Sequence, residues 1–393
     1  MKLSQVREDV IETSKKLLYS GLVARTWGNV SRRLDGNHFV ITPSGRDYES
    51  LRREDIVIMN ISDGRSWGTV RPSSEKGVHL AGYRDCDDVG FIIHTHQTEA
   101  SVISAYEKAF ELPVEGIASL EPIPCAAYGF PGTAELSDNV AAAFDKGRCR
   151  VVLMAHHGAV CFGREGLETL RIASELEVFC TLFIRRAFER YIGRPSRMDD
   201  PVYELLLSDQ GTAMPRTVVP LLNSERQGAA VIFHLRDGSS ALMDELLEER
   251  PEGTEIAIHR AIYESRPDIG AIRHSVTPAT VAVSALGGPL GAYLDDFAQI
   301  NGVTMEEADL TAESVAAALG DRHGVLLTAN GALCCGKTAA DAEAHAIVTE
   351  KNARTRMFAP LFPDRPLNTL DPDDGERMRR FYLESYAARF DER

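Results

Sequence analysis

Two imidazoles two residues apart, His94 and His96, end the apolar run GFIIHTH at residues 90–96. Strand side chains alternate between faces, so both project to the same side. A second pair, His156 and His157, ends the run CRVVLMAHHG just before Gly158. Neighbours on a strand point in opposite directions, so at most one of that pair can join the first two. Glu75 opens a helical stretch after RPSS, and His79 and Tyr83 follow it on one helical face. Neutral imidazoles with one carboxylate are the ligand set of a catalytic zinc-type site, and they leave a coordination position for substrate.

The chain contains its own comparison. EKGVHLAGYRDCDDVGFIIHTH from Glu75 aligns without a gap on EIAIHRAIYESRPDIGAIRHSV from Glu255, matching His79 to His259, Tyr83 to Tyr263, Gly90 to Gly270 and His94 to His274. Further on, Gly158, Ala159, Cys161 and Gly163 match Gly331, Ala332, Cys334 and Gly336, and Glu177 falls over Glu350. Preserved order and spacing indicate one domain repeated in tandem. In the second copy Val276 replaces His96 and Asn330 replaces His157. Candidate ligands vanish together while the apolar frame survives, which is the pattern of a lost metal site. The expected organisation is a catalytic domain over residues 1–212, a linker over 213–228 and a degenerate, non-catalytic copy over 229–393.

The elements that must position these residues are short. HFVITP, DIVIMNI, GFIIHTH and CRVVLMAHHG are β-branched-rich runs bounded by turns, as strands are, while the opening residues and GLETLRIASELEVFCTLFIRRAFERY carry helical periodicity. Helices flanking a central sheet are the expectation. At 393 residues the chain exceeds one ordinary core. Its 43 basic and 58 acidic residues give a formal net charge of −15, which argues against nucleic-acid or anionic-membrane partners. No apolar run reaches the ~18 residues of a membrane span, the first residues lack the apolar centre of a secretory signal, and the seven cysteines form no CxxC pair. These features point to a cytoplasmic protein with reduced thiols.

Upstream of Glu75 lie three loops of small residues, TWGNVS (26–31), ITPSGRD (41–47) and RPSSEK (71–76). Tight turns of Gly, Ser, Thr and Asn expose N–H groups and hydroxyls, and a helix start adds its dipole, which together can hold a phosphate dianion. Each loop taken alone also reads as ordinary turn and N-cap chemistry.

GNVS, ITPSG, RPSSE, HTH and HHG, in this order and spacing, resemble the class II aldolase/adducin family. The resemblance covers residues 1 to about 205 with all motifs and about 225 to 360 as the worn copy. It implies a three-layer α/β/α fold around a mostly antiparallel sheet, here as two tandem aldolase-II-like domains. It further implies that His94, His96 and His157 bind Zn2+, or another divalent transition metal. Glu75 would serve as fourth ligand or as catalytic acid/base, while Asn29, Ser44, Gly45, Ser73 and Ser74 would hold the substrate phosphate. The implied reaction is retro-aldol cleavage of a phosphorylated ketose through an enediolate, in a homo-oligomer whose active sites lie at subunit interfaces. A sugar-phosphate dehydratase or epimerase on the same site, and an adducin-like scaffold, are the alternatives. Glu75, where the epimerases resemble Asp, favours the lyases. The tyrosine acid of the aldolases has no counterpart before Tyr128, which leaves Glu121, Tyr128 and Tyr203 as candidate acids. The second copy is expected to pack as a pseudo-subunit.

Overall fold

The computed structural model describes residues 2–23, 27–107, 123–219, 221–235, 237–249 and 254–387. They divide into two compact units, residues 1–194 and 195–393.

The first unit runs α1 (Leu3–Tyr19), β1 (Gly28–Arg33), β2 (His38–Ile41), β3 (Val57–Asn60), β4 (Ser66–Trp67), α2 (Lys76–Asp85), β5 (Phe91–Thr95), α3 (Thr98–Ser104), β6 (Cys125–Ala126), α4 (Ala134–Phe144), β7 (Val151–Met154), β8 (Gly158–Gly163) and α5 (Gly166–Ile192). The strands form one sheet in the order β4-β3-β2-β1-β5-β8-β7-β6. Every pairing is antiparallel except β6 with β7. Helices α2 and α4 cover one face. There Val78, Tyr83, Leu136, Val140 and Phe144 meet Phe39, Met59, Ile92, Val152 and Phe162 of the sheet. Burial of each such side chain contributes roughly 1.5–3 kcal/mol. Helices α1, α3 and α5 pack on the opposite face. In α1, buried Val6, Val10, Ile11 and Leu17 recur at the helical period. The result is an α/β/α sandwich.

One glycine governs how close α2 approaches the strands carrying the histidines. A Cβ at Gly82 would stand 2.6 Å from the Phe162 ring and 2.8 Å from Ile92. Any other residue would push α2, and Glu75 at its start, away from β5.

The second unit repeats this plan with α6 (Val202–Ser208), β9 (Asn223–Gln227), β10 (Ala230–His234), β11 (Ser240–Leu242), α7 (Met243–Glu249), α8 (Thr254–Ser265), β12 (Ala271–Ser275), α9 (Pro278–Ala285), β13 (Leu290–Gly291), α10 (Asp295–Asn301), β14 (Thr304–Met305), β15 (Glu307–Ala308), α11 (Ala312–Leu319), β16 (Gly324–Leu327), β17 (Ala332–Gly336), α12 (Ala339–Met357) and α13 (Pro372–Phe381). Its main sheet runs β11-β10-β9-β12-β17-β16-β15, antiparallel except for β15 with β16. Matched through the repeated sequence, this is the strand order of the first unit without β4. Among the described residues, no helix is long and apolar enough to cross a membrane.

Candidate active site

Strand β5 delivers the first two imidazoles. Its buried side chains alternate, with Ile92 in the core under α2 and α4, so His94 and then His96 face that side as well. The β1–β5 register sets Asn29 directly opposite His94. His156 and His157 stand in the turn joining β7 to β8, not on a strand. What separates them is backbone handedness rather than strand alternation. His156 has φ +60, and its Nε2 meets Glu107 Oε1 at 2.8 Å. His157 turns to the other side, its Nε2 3.0 Å from His94 Nε2 and 3.1 Å from Glu75 Oε1.

Glu75, His94, His96 and His157 are all buried, and one ligand atom from each lies within 4.8 Å of the others. His94 Nε2 is 2.9 Å from His96 Nε2 and 3.1 Å from Glu75 Oε2. Ligand atoms of a tetrahedral zinc site, at about 2.0–2.1 Å from the ion, stand roughly 3.3 Å apart. The four separations of 2.9–3.1 Å lie slightly inside that spacing, and the nitrogen and oxygen donors suit a divalent transition metal. Nδ1 of His94 donates to the Ala159 carbonyl at 2.9 Å. That bond fixes the tautomer and turns the Nε2 lone pair into the cluster, as an outer partner does for a metal-binding histidine. These four residues fit a metal ion.

The carboxylate of Glu75 is held from outside too. Asn29 Nδ2 donates to its Oε2 at 2.9 Å, and Asn29 Oδ1 accepts from His79 Nε2. The chain of bonds continues from His79 Nδ1 through Ser31 Oγ at 2.6 Å to the Tyr83 hydroxyl at 2.8 Å. Burial acts to raise the Glu75 pKa, but the charge interactions and hydrogen bonds of His94 and His157 outweigh it and hold the carboxyl well below its usual range. The spacing of Glu75, His79 and Tyr83 shows one helical face. The link through Asn29 and Ser31 has no local signal, because both come from a strand more than 40 residues away.

The second unit keeps this frame around a different centre. Ser224 Oγ bonds His259 Nδ1 at 2.7 Å and the Tyr263 hydroxyl at 2.9 Å, as Ser31 does in the first unit. Leu222 occupies the sequence position of Asn29. His274 accepts from the Leu221 N–H at 2.9 Å through Nδ1 and donates to the Asn330 carbonyl at 2.7 Å through Nε2. The Asn330 side chain bonds both backbone groups of Val219, at 2.6 and 2.9 Å. The remnant donors are therefore committed to the chain's own backbone, and Val276 is 42% exposed.

The buried histidines carry a pH prediction. Burial, with His94 adding and Glu75 opposing, lowers His79 from 6.5 to about 3. Burial and then His274 lower His259 to about 3 as well. Folding thus favours the neutral rings, while the unfolded chain protonates near 6.5. Their contribution is full above about pH 6.5 and declines toward pH 3, by up to about 1.4 kcal/mol per pH unit for each ring. Urea midpoints measured at pH 7 and pH 5 should fall with acid, and His259→Gln should reduce that fall. An unchanged midpoint would contradict neutral burial.

The loops before Glu75 converge by backbone pairing. Pro43 and Pro72 form an antiparallel bridge, the Ser44 N–H donates to the Arg71 carbonyl at 3.1 Å, and the Ser73 N–H donates to the Thr42 carbonyl at 3.1 Å. Gly45 has φ +66. Ser73 Oγ accepts the Glu75 N–H at 3.2 Å, and Ser74 is exposed. Of the candidate acids, Tyr128 sets its ring edge-on to His156 with centroids 5.9 Å apart. Tyr203 is in the second unit, stacked on Phe358 at 5.7 Å. Glu121 lies outside the described residues.

A sequence model of the class II aldolase and adducin N-terminal domain matches residues 8–184 and again residues 225–357. The 5-deoxy-D-ribulose 1-phosphate aldolase of Bacillus thuringiensis serovar kurstaki is 34% identical over 213 residues, 52% of this chain and 95% of that protein. The L-fuculose phosphate aldolase of Escherichia coli K12 is 32% identical over 186 residues, 47% of this chain and 85% of that protein. Among solved structures, an L-fuculose 1-phosphate aldolase is 31% identical with a TM-score of 0.45, covering 53% of this chain and 96% of its own. The double match agrees in position with the two repeated sheets. The chain belongs to the class II aldolase and adducin family, as two tandem copies of its domain, and is an aldolase-type lyase.

Proposed function

We propose that the first unit cleaves a phosphorylated ketose by a metal-dependent retro-aldol reaction. The observation that carries this reading is the buried Glu75–His94–His96–His157 cluster, with the His94 tautomer already set for a ligand. The three histidines and Glu75 would hold a divalent cation, with zinc the best fit to the donor set. Such a cation supplies Lewis acidity toward the hydroxyl and carbonyl oxygens of a ketose, lowering the cost of the enediolate charge that C–C cleavage develops. Ser44, Ser73 and Ser74 would seat the phosphate through their hydroxyls and Gly45 through its N–H, with Asn29 between them and Glu75.

Glu75 would be the acid/base. Burial disfavours its charged form, and proximity to a bound cation would oppose that and keep it ionised. A substrate oxygen that takes the place of the carboxylate among the donors would therefore raise its proton affinity, so that it takes a proton and returns it. Asn29 would keep the freed carboxylate oriented. The second unit, residues 229–393 within it above all, would be non-catalytic, and the assembly a homo-oligomer. Seven free cysteines, most of them buried, suit a cytoplasmic setting.

The test is incubation of the metal-loaded chain with phosphorylated five- and six-carbon ketoses, following aldehyde and dihydroxyacetone phosphate together. Stoichiometric release of both supports the lyase. An epimer or a dehydrated product without cleavage would replace it with the alternative reaction. Elemental analysis should find about one divalent metal per chain, because His274 and Asn330 are bonded to backbone in the second unit. Two metals per chain would contradict this.

A further inference from the structure

The second unit carries a groove of about 420 Å³ between the C-terminal end of α10, the turn at Asp321 and Arg322, and one side of α13. Helix α13 lies beyond the stretch matched to the family domain, so this groove is not part of the repeated frame.

Two buried polar groups at the groove lack what such groups need. Asn301 is 1% exposed and lines the groove, and neither its amide nitrogen nor its amide oxygen has a partner among the described residues. An unpaired buried amide is costly until something bonds it. Arg379, 7% exposed, also lines the groove. It donates to the carbonyls of Ile300 at 2.6 Å, Gln299 at 3.3 Å and Asp321, and to Nδ1 of His323 at 3.0 Å. Its Nε remains without a partner, and it forms no ion pair among the described residues. No carboxylate comes within ion-pair distance of it among the described residues, although the charge of Asp321, which also lines the groove, favours its ionised form. Burial lowers its pKa only to about 10, so it stays charged at neutral pH. Arg380 lines the groove as well, together with Asp321, Glu376 and Arg322, whose guanidinium is engaged with the Thr304 carbonyl at 2.9 Å and with Glu306 at 3.6 Å.

These groups define a ligand. Guanidinium groups favour an oxyanion, and an amide with donor and acceptor both unused matches a hydroxyl, which also does both. We propose that this groove binds a small hydroxylated anion, a phosphate or carboxylate carried on a polyol, with Arg380 and the remaining Nε–H of Arg379 on the oxyanion and Asn301 on a hydroxyl. All of these residues belong to the second unit, so the worn copy would have lost one site while acquiring another.

The experiment is equilibrium dialysis of the full metal-loaded chain against labelled sn-glycerol 3-phosphate, glycerate, inorganic phosphate and glycerol. Ser73→Ala weakens the phosphate seat proposed for the first unit, and Arg380→Glu and Asn301→Ala alter the groove. Arg380 is exposed, so its variant should fold normally. Expected is a binding event that survives Ser73→Ala, weakens at least tenfold in Arg380→Glu and in Asn301→Ala, and is absent with glycerol. Metal content and turnover should not change in the groove variants. Tighter binding of glycerol 3-phosphate assigns the phosphate class, and tighter binding of glycerate the carboxylate class. The proposal fails if both groove variants bind with wild-type number and affinity, or if Ser73→Ala removes all binding. It also fails if inorganic phosphate alone binds as tightly as either polyol anion.

Discussion

His157→Asn is expected to abolish metal retention and turnover while leaving the first unit folded. The imidazole Nε2 stands 3.0 Å from His94 Nε2 and 3.1 Å from Glu75, and a shorter amide cannot reach that point with an equivalent lone pair. Loss of an outer-shell partner already costs metal affinity about 10–100-fold, so loss of a direct ligand should exceed that. The protein itself contains the substitution: Asn330 at the matching turn directs its amide to the Val219 backbone, and its β16–β17 hairpin is formed. His156→Asn is the control. Its ring bonds Glu107 on the other side of the turn, and φ +60 is a conformation asparagine adopts readily. That variant should keep its metal and lose less than tenfold in turnover. Metal content by elemental analysis, with circular dichroism for the fold, checks both. Full metal content in His157→Asn, or metal loss confined to His156→Asn, would reverse the assignment.

Glu75→Gln is expected to lower kcat by about 10²–10⁴ at equal metal occupancy, the range that general acid–base catalysis supplies, and to weaken metal retention as well, because the amide oxygen is a poorer ligand than the carboxylate. The amide preserves the shape and the hydrogen bond to Asn29 but cannot accept a proton at neutral pH. The effect should therefore fall on kcat more than on KM. Asn29→Asp offers a graded comparison. It puts a second carboxylate beside Glu75, which disfavours ionisation of both and should move the acid limb of the pH–rate profile upward. Turnover measured at equal metal content separates these effects from metal loss. A Glu75→Gln protein of near wild-type kcat would remove Glu75 from the chemistry.

The repeat made much of the architecture legible before any coordinates. Matching Glu75 to Glu255 and Gly158 to Gly331 placed equivalent strands and helices, and the sheets follow with the same order. Strand alternation carried His94 and His96 to one face, since the period of two is a local property of extended backbone. It could not settle the 156–157 pair, whose separation comes from a left-handed turn residue, a conformation that histidine does not announce. The groove beside α13 was not legible either. Asn301 and Arg379 are 78 positions apart and share no pattern.

What the sequence determined alone was the identity and order of the donors: three imidazoles and a carboxylate in the first copy, with two of the imidazoles replaced in the second. Residue type and local period are written in the chain and need no fold to be read. The tertiary structure decided which atoms converge. Antiparallel pairing of β1 with β5 sets Asn29 across from His94, and Gly82 lets α2 bring Glu75 down to the strand ends. The β7–β8 turn aims His157 inward and His156 away. Convergence belongs to the tertiary structure because Glu75, His94 and His157 come from three separate elements, and only sheet register and helix packing fix distances between them.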